Sequence, residues 1–128
     1  MNIQLKAWSV KNLSLKTNDK SSKKQSFNLA VGYSFPDNSE GEFGIGFLIH
    51  IKETAFRIDL EMLFLFHVDQ EIDEAFQQSS FVKINAPAIA YPYVRSYISN
   101  LTLQSGLNPI ILPTVNFVKF AEEAQKEQ

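Results

Sequence analysis

Apolar and polar positions alternate through most of the first half of the chain. Phe27, Leu29, Val31, Tyr33 and Phe35 occupy every second place, separated by Asn28, Ala30, Gly32 and Ser34. Phe43, Ile45, Phe47, Ile49 and Ile51 repeat the pattern, and Phe56, Ile58, Leu60, Met62, Phe64, Phe66 and Val68 extend it. A period of two places all the apolar side chains of a strand on one face. Pro36-Asp37-Asn38-Ser39-Glu40-Gly41 reads as a turn, and Lys52-Glu53 as a tight break. The three strands predict an antiparallel meander. If Lys52-Glu53 is a two-residue hairpin loop, Ile49 faces Phe56, Phe47 faces Ile58 and Ile45 faces Leu60. A one-residue slip would set Arg57 and Asp59 against apolar partners, so the slip is disfavoured.

The N-terminal segment alternates with two changes of phase. Ile3, Leu5 and Ala7 are followed by Trp8 and Val10, then by Leu13 and Leu15. It reads as one long strand with a bulge near Asn12 and with apolar residues on both faces, a pattern of a strand covered on two sides or lying at an interface. Residues 17–26 form a polar loop.

The second half changes period. Asp69 to Ser80 is an acidic connector. Ile89, Ala90, Tyr93, Val94, Tyr97, Ile98 and Leu101 follow helical spacing in a stripe wider than one face. Asn85 can cap this helix, Pro87 fits its first turn, Pro92 should kink it or split off that turn, and Ser105-Gly106 should end it. Leu107 to Val115 carries two prolines and four large aliphatic residues and predicts an extended, packed segment. A short C-terminal helix should run from about Asn116 to Lys126, with Asn116 as its cap.

A length of 128 residues fits one domain, 1–128. The absence of cysteine excludes a disulfide scaffold, a thiolate zinc site and a cysteine nucleophile. No apolar run is long enough to span a bilayer, and the alternating N-terminus is not a secretory signal, so a cytoplasmic location is expected with no membrane insertion. The net charge of −2 hides an asymmetry: residues 1–26 hold six Lys and one Asp, whereas 53–74 hold one Arg and seven acids. Lys20, Lys23 and Lys24 sit in a Ser/Asn-rich stretch without interleaved aromatics or arginines, which reads as a solvated loop rather than a nucleic-acid surface. Between Lys83 and Lys119 the only charged residue is Arg95. So uncharged a stretch exceeds what one small sheet can cover, which predicts assembly.

No constellation supports catalysis. His50 and His67 fall far apart along the hairpin. Asp69 to Ser80 begins like a calcium loop but lacks the glycine at its sixth place and the glutamate at its twelfth. Asp59 and Glu61 share a strand face without an implied cleft. No glycine-rich loop precedes a helix, and there is no G-x-S-x-G. No catalytic residue, metal or cofactor is therefore expected, and the chain should not be an enzyme.

Ala86-Pro87-Ala88-Ile89-Ala90-Tyr91-Pro92-Tyr93-Val94-Arg95 resembles a segment of the SecB-like export chaperones. Ser105-Gly106 followed by Ile111-Leu112-Pro113-Thr114-Val115-Asn116-Phe117 resembles a second one. Ile3-Gln4-Leu5 with Lys11-Asn12-Leu13-Ser14-Leu15 is similar to the family's first strand, and Thr54-Ala55-Phe56 stands where its fourth begins. The resemblance implies an α+β fold: a four-stranded antiparallel Greek-key sheet of order 2-3-4-1, then a long kinked helix and a short C-terminal helix. It implies a homotetramer, a dimer of dimers, in which first-strand edges pair and the long helices pack between sheets. It also implies a holdase that binds unfolded, export-competent polypeptides in apolar grooves without a cofactor and hands them to the SecA motor. Groove residues expected on this basis are Tyr33, Phe35, Tyr91, Tyr93, Leu112, Phe117 and Phe120. Trp8, Val10, Tyr97, Ile98 and Leu101 are expected at oligomer interfaces.

Three features depart from the family: the loop at 17–26 is short and carries lysines, the chain is only weakly acidic, and the C-terminal tail is nearly absent. In the family an acidic sheet face receives the basic tail of SecA. The matching first-strand positions here are Asn12 and Lys16, which leaves Asp59, with Glu61 beside it, as the docking residues. Coupling to SecA is expected to be weak or altered. Two other readings stand beside general export: a SecB-like chaperone dedicated to one client, such as the antitoxin of a toxin–antitoxin pair, and an assembly or adaptor protein that reuses the fold.

Overall fold

The computed structural model describes residues 2–17, 24–37 and 40–126. They form two compact units, Met1–Glu71 and Ile72–Gln128. Most of the expected loop at 17–26, and the centre of the turn at 36–41, lie outside the described residues.

The first unit is a four-stranded antiparallel sheet of β1 (Ile3–Thr17), β2 (Ser26–Ser34), β3 (Glu42–Lys52) and β4 (Phe56–Val68), in the order β1-β4-β3-β2. This is the expected order. Its apolar face is densely buried: Phe43, Ile45, Ile49, Ile58, Phe64 and Phe66 have no exposed surface. Before β3, Gly41 has φ +74°, and a Cβ there would lie 2.3 Å from the Val68 carbonyl oxygen, so only glycine fits. Val68 N–H donates to Gly41 O at 2.7 Å.

The β3–β4 register differs from the expected one. Ile49 faces Leu60, Phe47 faces Met62 and Ile45 faces Phe64, a displacement of four residues along β4. The tight turn is Thr54-Ala55, closed by Glu53 N–H donating to Phe56 O at 2.8 Å, not Lys52-Glu53. An even displacement keeps every apolar residue on the same face, so alternation alone cannot distinguish the two registers.

The changes of phase in β1 have a single structural explanation. Register shifts occur between Leu5 and Ala7 and between Val10 and Asn12, leaving Lys6 and Lys11 as the extra residues of two bulges. Each bulge restores the phase lost in the sequence. Ile3, Leu5, Trp8, Val10, Leu13 and Leu15 consequently face Val68, Phe66, Phe64, Met62, Leu60 and Ile58. The strand has one apolar face, not two. The bulge expected near Asn12 is present, and the second, at Lys6, explains the earlier phase change.

The second unit contains α1 (Glu74–Gln77), a π-helical turn (Phe81–Asn85), α2 (Ala86–Gln104) and α3 (Phe117–Lys126). Asp73 caps α1, accepting from Phe76 N–H at 2.8 Å. Asn85 does not act as a cap: it has helical φ and ψ and closes the π-helical turn that feeds into α2. α2 is a long bent helix that runs on through Pro92, so its first turn is not split off. The bend follows from the missing proline N–H. Gly106, with φ +81°, ends it as expected. Gly106 N–H donates to Leu103 O and Leu107 N–H to Thr102 O, the paired closure of a Schellman motif. Asn116 caps α3, its Oδ1 accepting from Val118 and Lys119 N–H at 3.0 and 3.3 Å.

Candidate functional site

The wide apolar stripe of α2 divides in two. Ala86, Ala90, Val94 and Ile98 are fully buried, whereas Ile89 and Tyr93 are 41% and 42% exposed and Leu103 is 57% exposed. Residues 108–116 then run without helix or strand as a strap fastened to α2. Side chains one turn apart on the helix donate to strap carbonyls: Tyr91 Oη to Pro113 O at 2.7 Å, Arg95 Nε to Leu112 O at 3.1 Å, and Ser99 Oγ to Ile110 O at 2.5 Å. Thr102 Oγ1 accepts from Ile110 N–H at 3.1 Å and lies 3.0 Å from both Ile98 O and Ser99 O. These bonds address backbone groups only, so they hold the segment whatever its side chains. Burial pushes the Tyr91 hydroxyl upward from its usual pKa, against the smaller opposing pull of Arg95, so it remains a neutral donor.

The helical unit gathers four of the expected groove residues. Tyr91 meets Phe117 edge-on at 5.6 Å, Phe117 meets Phe120 at 5.8 Å, and Leu112 lies on the strap beside the Tyr91 acceptor. Tyr91, Leu112 and Phe117 are buried in this unit, so they shape the site from beneath. Tyr93 is exposed, and so is Ile111 of the strap, at 80%. Sequence reasoning passed over Ile111 because its neighbours in an irregular segment set no period. In the sheet unit, Tyr33 faces Ile45, and Phe35 stacks on Phe43 at 6.2 Å. Both are half-buried, and burial raises the Tyr33 hydroxyl pKa.

The expected interface residues are heterogeneous. Trp8 stacks on Phe64 at 6.3 Å yet is 49% exposed, and Val10 is 39% exposed. Tyr97 and Leu101 are half-buried. Ile98 has no exposed surface and belongs to the chain's own core, a placement unlike an interface.

The other sheet face carries the polar register. Asn12 faces Glu61, Ser14 faces Asp59, and Lys16 faces Arg57; across β3, Asp59 faces His50 and Arg57 faces Lys52. Asp59 is engaged: His50 Nδ1 lies 2.5 Å from one carboxylate oxygen and Arg57 Nε donates to the other at 3.3 Å. The His50 hydrogen bond, aided by Arg57, lowers the Asp59 pKa. Glu61 is exposed. Among the described residues no group of three or more His, Asp or Glu is placed to hold a metal, and no helix is long and apolar enough to cross a membrane.

Known proteins are similar to this chain in sequence or in fold. The chain is 35% identical over 66 residues to a protein-export protein SecB of Cereibacter sphaeroides, covering 52% of this chain and 39% of that protein. It is 37% identical over 59 residues to an uncharacterized protein of Methanocaldococcus jannaschii, covering 46% and 37%. The matched segments thus span well under half the length of these relatives. Among solved structures, a Mycobacterium tuberculosis SecB-like chaperone in complex with a ChAD peptide from the HigA1 antitoxin superposes with a TM-score of 0.70, at 16% identity over 88% of this chain and 87% of that one. A protein of unknown function from Streptococcus agalactiae superposes with a TM-score of 0.58, at 14% identity over 89% and 98%. The family model for the preprotein translocase subunit SecB matches residues 2–128, and the chain belongs to the SecB family.

Proposed function

We propose that this protein is an ATP-independent holdase for unfolded polypeptides, as in SecB-dependent export. The observation that carries this reading is the helical unit's surface, where Ile89, Tyr93, Leu103 and Ile111 stand exposed beside a strap whose carbonyls α2 side chains hold. Apolar surface of this kind gains about 25 cal/mol per Å² on burial before ordering costs, so each contact is modest and binding is broad. In the helical unit the groove residues of this reading are the exposed Tyr93 and the half-buried Phe120, with Tyr91, Leu112 and Phe117 buried as their support; in the sheet unit Tyr33 and Phe35 remain candidates. We assign no cofactor or catalytic step and a cytoplasmic place of action. The working form is a dimer of dimers with Trp8, Val10, Tyr97 and Leu101 at its contacts. Coupling to SecA is weak, because Asp59 is already bound to His50 and Arg57 and Lys16 adds a cation to the same face.

Light scattering of several denatured proteins, without nucleotide, tests the reading. Suppression of aggregation across unrelated clients is expected; no suppression at molar excess overturns it. The solved SecB-like chaperone with an antitoxin peptide favours a second reading, service to one dedicated client. That reading requires suppression with one client and none with the rest.

A further inference from the structure

Two glycines face each other across β2 and β3 without a reason inside the chain. Gly32 pairs directly with Gly46 in an unbroken register, so no bulge calls for them. Neither has a positive φ. A Cβ on Gly32 would meet nothing within 4 Å, and one on Gly46 would come no nearer than 4.0 Å, to the Gly32 carbonyl oxygen. Gly44 differs, since a Cβ there would lie 3.2 Å from the Leu63 side chain. Glycine inside a strand weakens it, and where the fold does not require it, it marks a place that another molecule approaches closely. Both glycines lie on the sheet face opposite the core. The same face carries Leu48, 42% exposed and the next residue on that side of β3, so a leucine knob stands beside a glycine hole. Charge is divided along this face. Lys16, Arg57 and Lys52 form a cross-strand row at one end, and Gln4, His67 and Glu42 form the row at the other.

We propose that this face binds a second copy of the chain, about a twofold axis running across the strands at the row Val31, Phe47 and Met62. That rotation sets Leu48 over the second copy's Gly46 and Ala30 over its Gly32, each reciprocated. It also sets Lys52 over the second copy's Glu42, Arg57 over its His67 and Lys16 over its Gln4. A twofold axis along the strands would instead stack the two three-cation rows on each other, so charge selects the first arrangement. Asp59 keeps its bonds to His50 and Arg57, and Glu61, on β4, lies at the margin of a contact centred on β2 and β3. Trp8 and Val10 face Phe64 and Met62 on the core side of the sheet, so this contact adds to a dimer of dimers without competing with it. While paired, the face is closed to any other protein.

Sedimentation velocity of the full chain over about a hundredfold range of concentration tests the proposal. A species of twice the mass of the basal assembly should appear as concentration rises. Gly46→Val fills the hole, and the chain's own atoms leave room for it, so the melting temperature should hold or rise. The same variant should weaken the doubling about tenfold or more. Lys52→Glu should weaken it as well, and Lys52→Glu combined with Glu42→Lys should restore it. Absence of any heavier species at every concentration overturns the proposal and leaves the glycine hole to a different protein. Doubling that Gly46→Val leaves unchanged overturns it too, whether or not the charge-swapped variant folds. Loss of the basal assembly itself in Gly46→Val also overturns it, because the glycine would then serve that assembly.

Discussion

The sheet unit and the helical unit solve the same problem, fixing a segment that makes no helix, by opposite means. In the sheet, β1 is fixed by main-chain pairing, and its side chains only choose a face. In the helical unit, the strap has no strand partner and is fixed by Tyr91, Arg95, Ser99 and Thr102. The difference lies in where the information resides. The sheet spreads it over an apolar pattern that tolerates single polar changes on the opposite face. The strap concentrates it in four polar side chains, each with a specific acceptor or donor.

Variants can separate the two devices. The largest effect is expected from Ile98→Asp, which places an unpaired charge where no surface is exposed. It should cost about 4 kcal/mol or more, from lost burial and desolvation, and appear in urea titration as lost helical structure rather than separated subunits. Next comes a pair of deletions in β1. Removing Ser9 turns Ile3, Leu5 and Trp8 to the wrong face and should cost about 2–4 kcal/mol. Removing Lys11, an extra residue, leaves Val10 facing Met62 and Leu13 facing Leu60 and should change stability by about 1 kcal/mol or less. Equal loss in both would break the bulge account; chemical denaturation compares them. Thr102→Val keeps the shape but strands Ile110 N–H, at a cost of about 1–3 kcal/mol, with faster amide exchange confined to residues 107–116.

The smallest effect concerns Asp59. Its pKa is lowered in the folded protein, so its stabilisation is present above the unfolded carboxylate pKa of 3.8 and is lost as pH falls through the lower folded value. The pair is screened by water, with His50 half-exposed and the Asp59 side chain 27% exposed. Asp59→Asn should therefore lower the melting temperature slightly above about pH 4, including at pH 7, and the difference should close as the pH falls below that range. A difference that persists undiminished in acid would contradict it.

The sheet's faces were legible from sequence because alternation with Phe, Ile and Leu leaves one way to bury them. The β3–β4 register was not, because any even displacement satisfies the same rule and the backbone bond at Thr54-Ala55 makes the choice. The phase changes in β1 were visible, but reading them as two apolar faces confused an added residue with an added surface. In the helical unit, the Gly106 stop and the Asn116 cap follow from local chemistry. The start of α2 did not, since the π-helical turn from Phe81 carries no cap residue to announce it. Tyr91 and Phe117 are expected from sequence to line a groove, but their burial depends on a strap whose bonds no periodicity reports.

The two lysine bulges of β1 also bear on what the edge of that strand can pair with. A long edge strand is a template, and an unfolded polypeptide is material ready to be copied onto it. Lys6 and Lys11 interrupt that template, dividing the strand into the short regular runs Ile3–Leu5, Ala7–Val10 and Asn12–Thr17. Each interruption twists the edge and carries a charge that a growing β-stack would have to desolvate. The same bulges that return the apolar side chains to one face thus make the edge a poorer template for another strand. A version with both lysines removed would pair with β4 at least as regularly, and would present an edge with no interruption along its length.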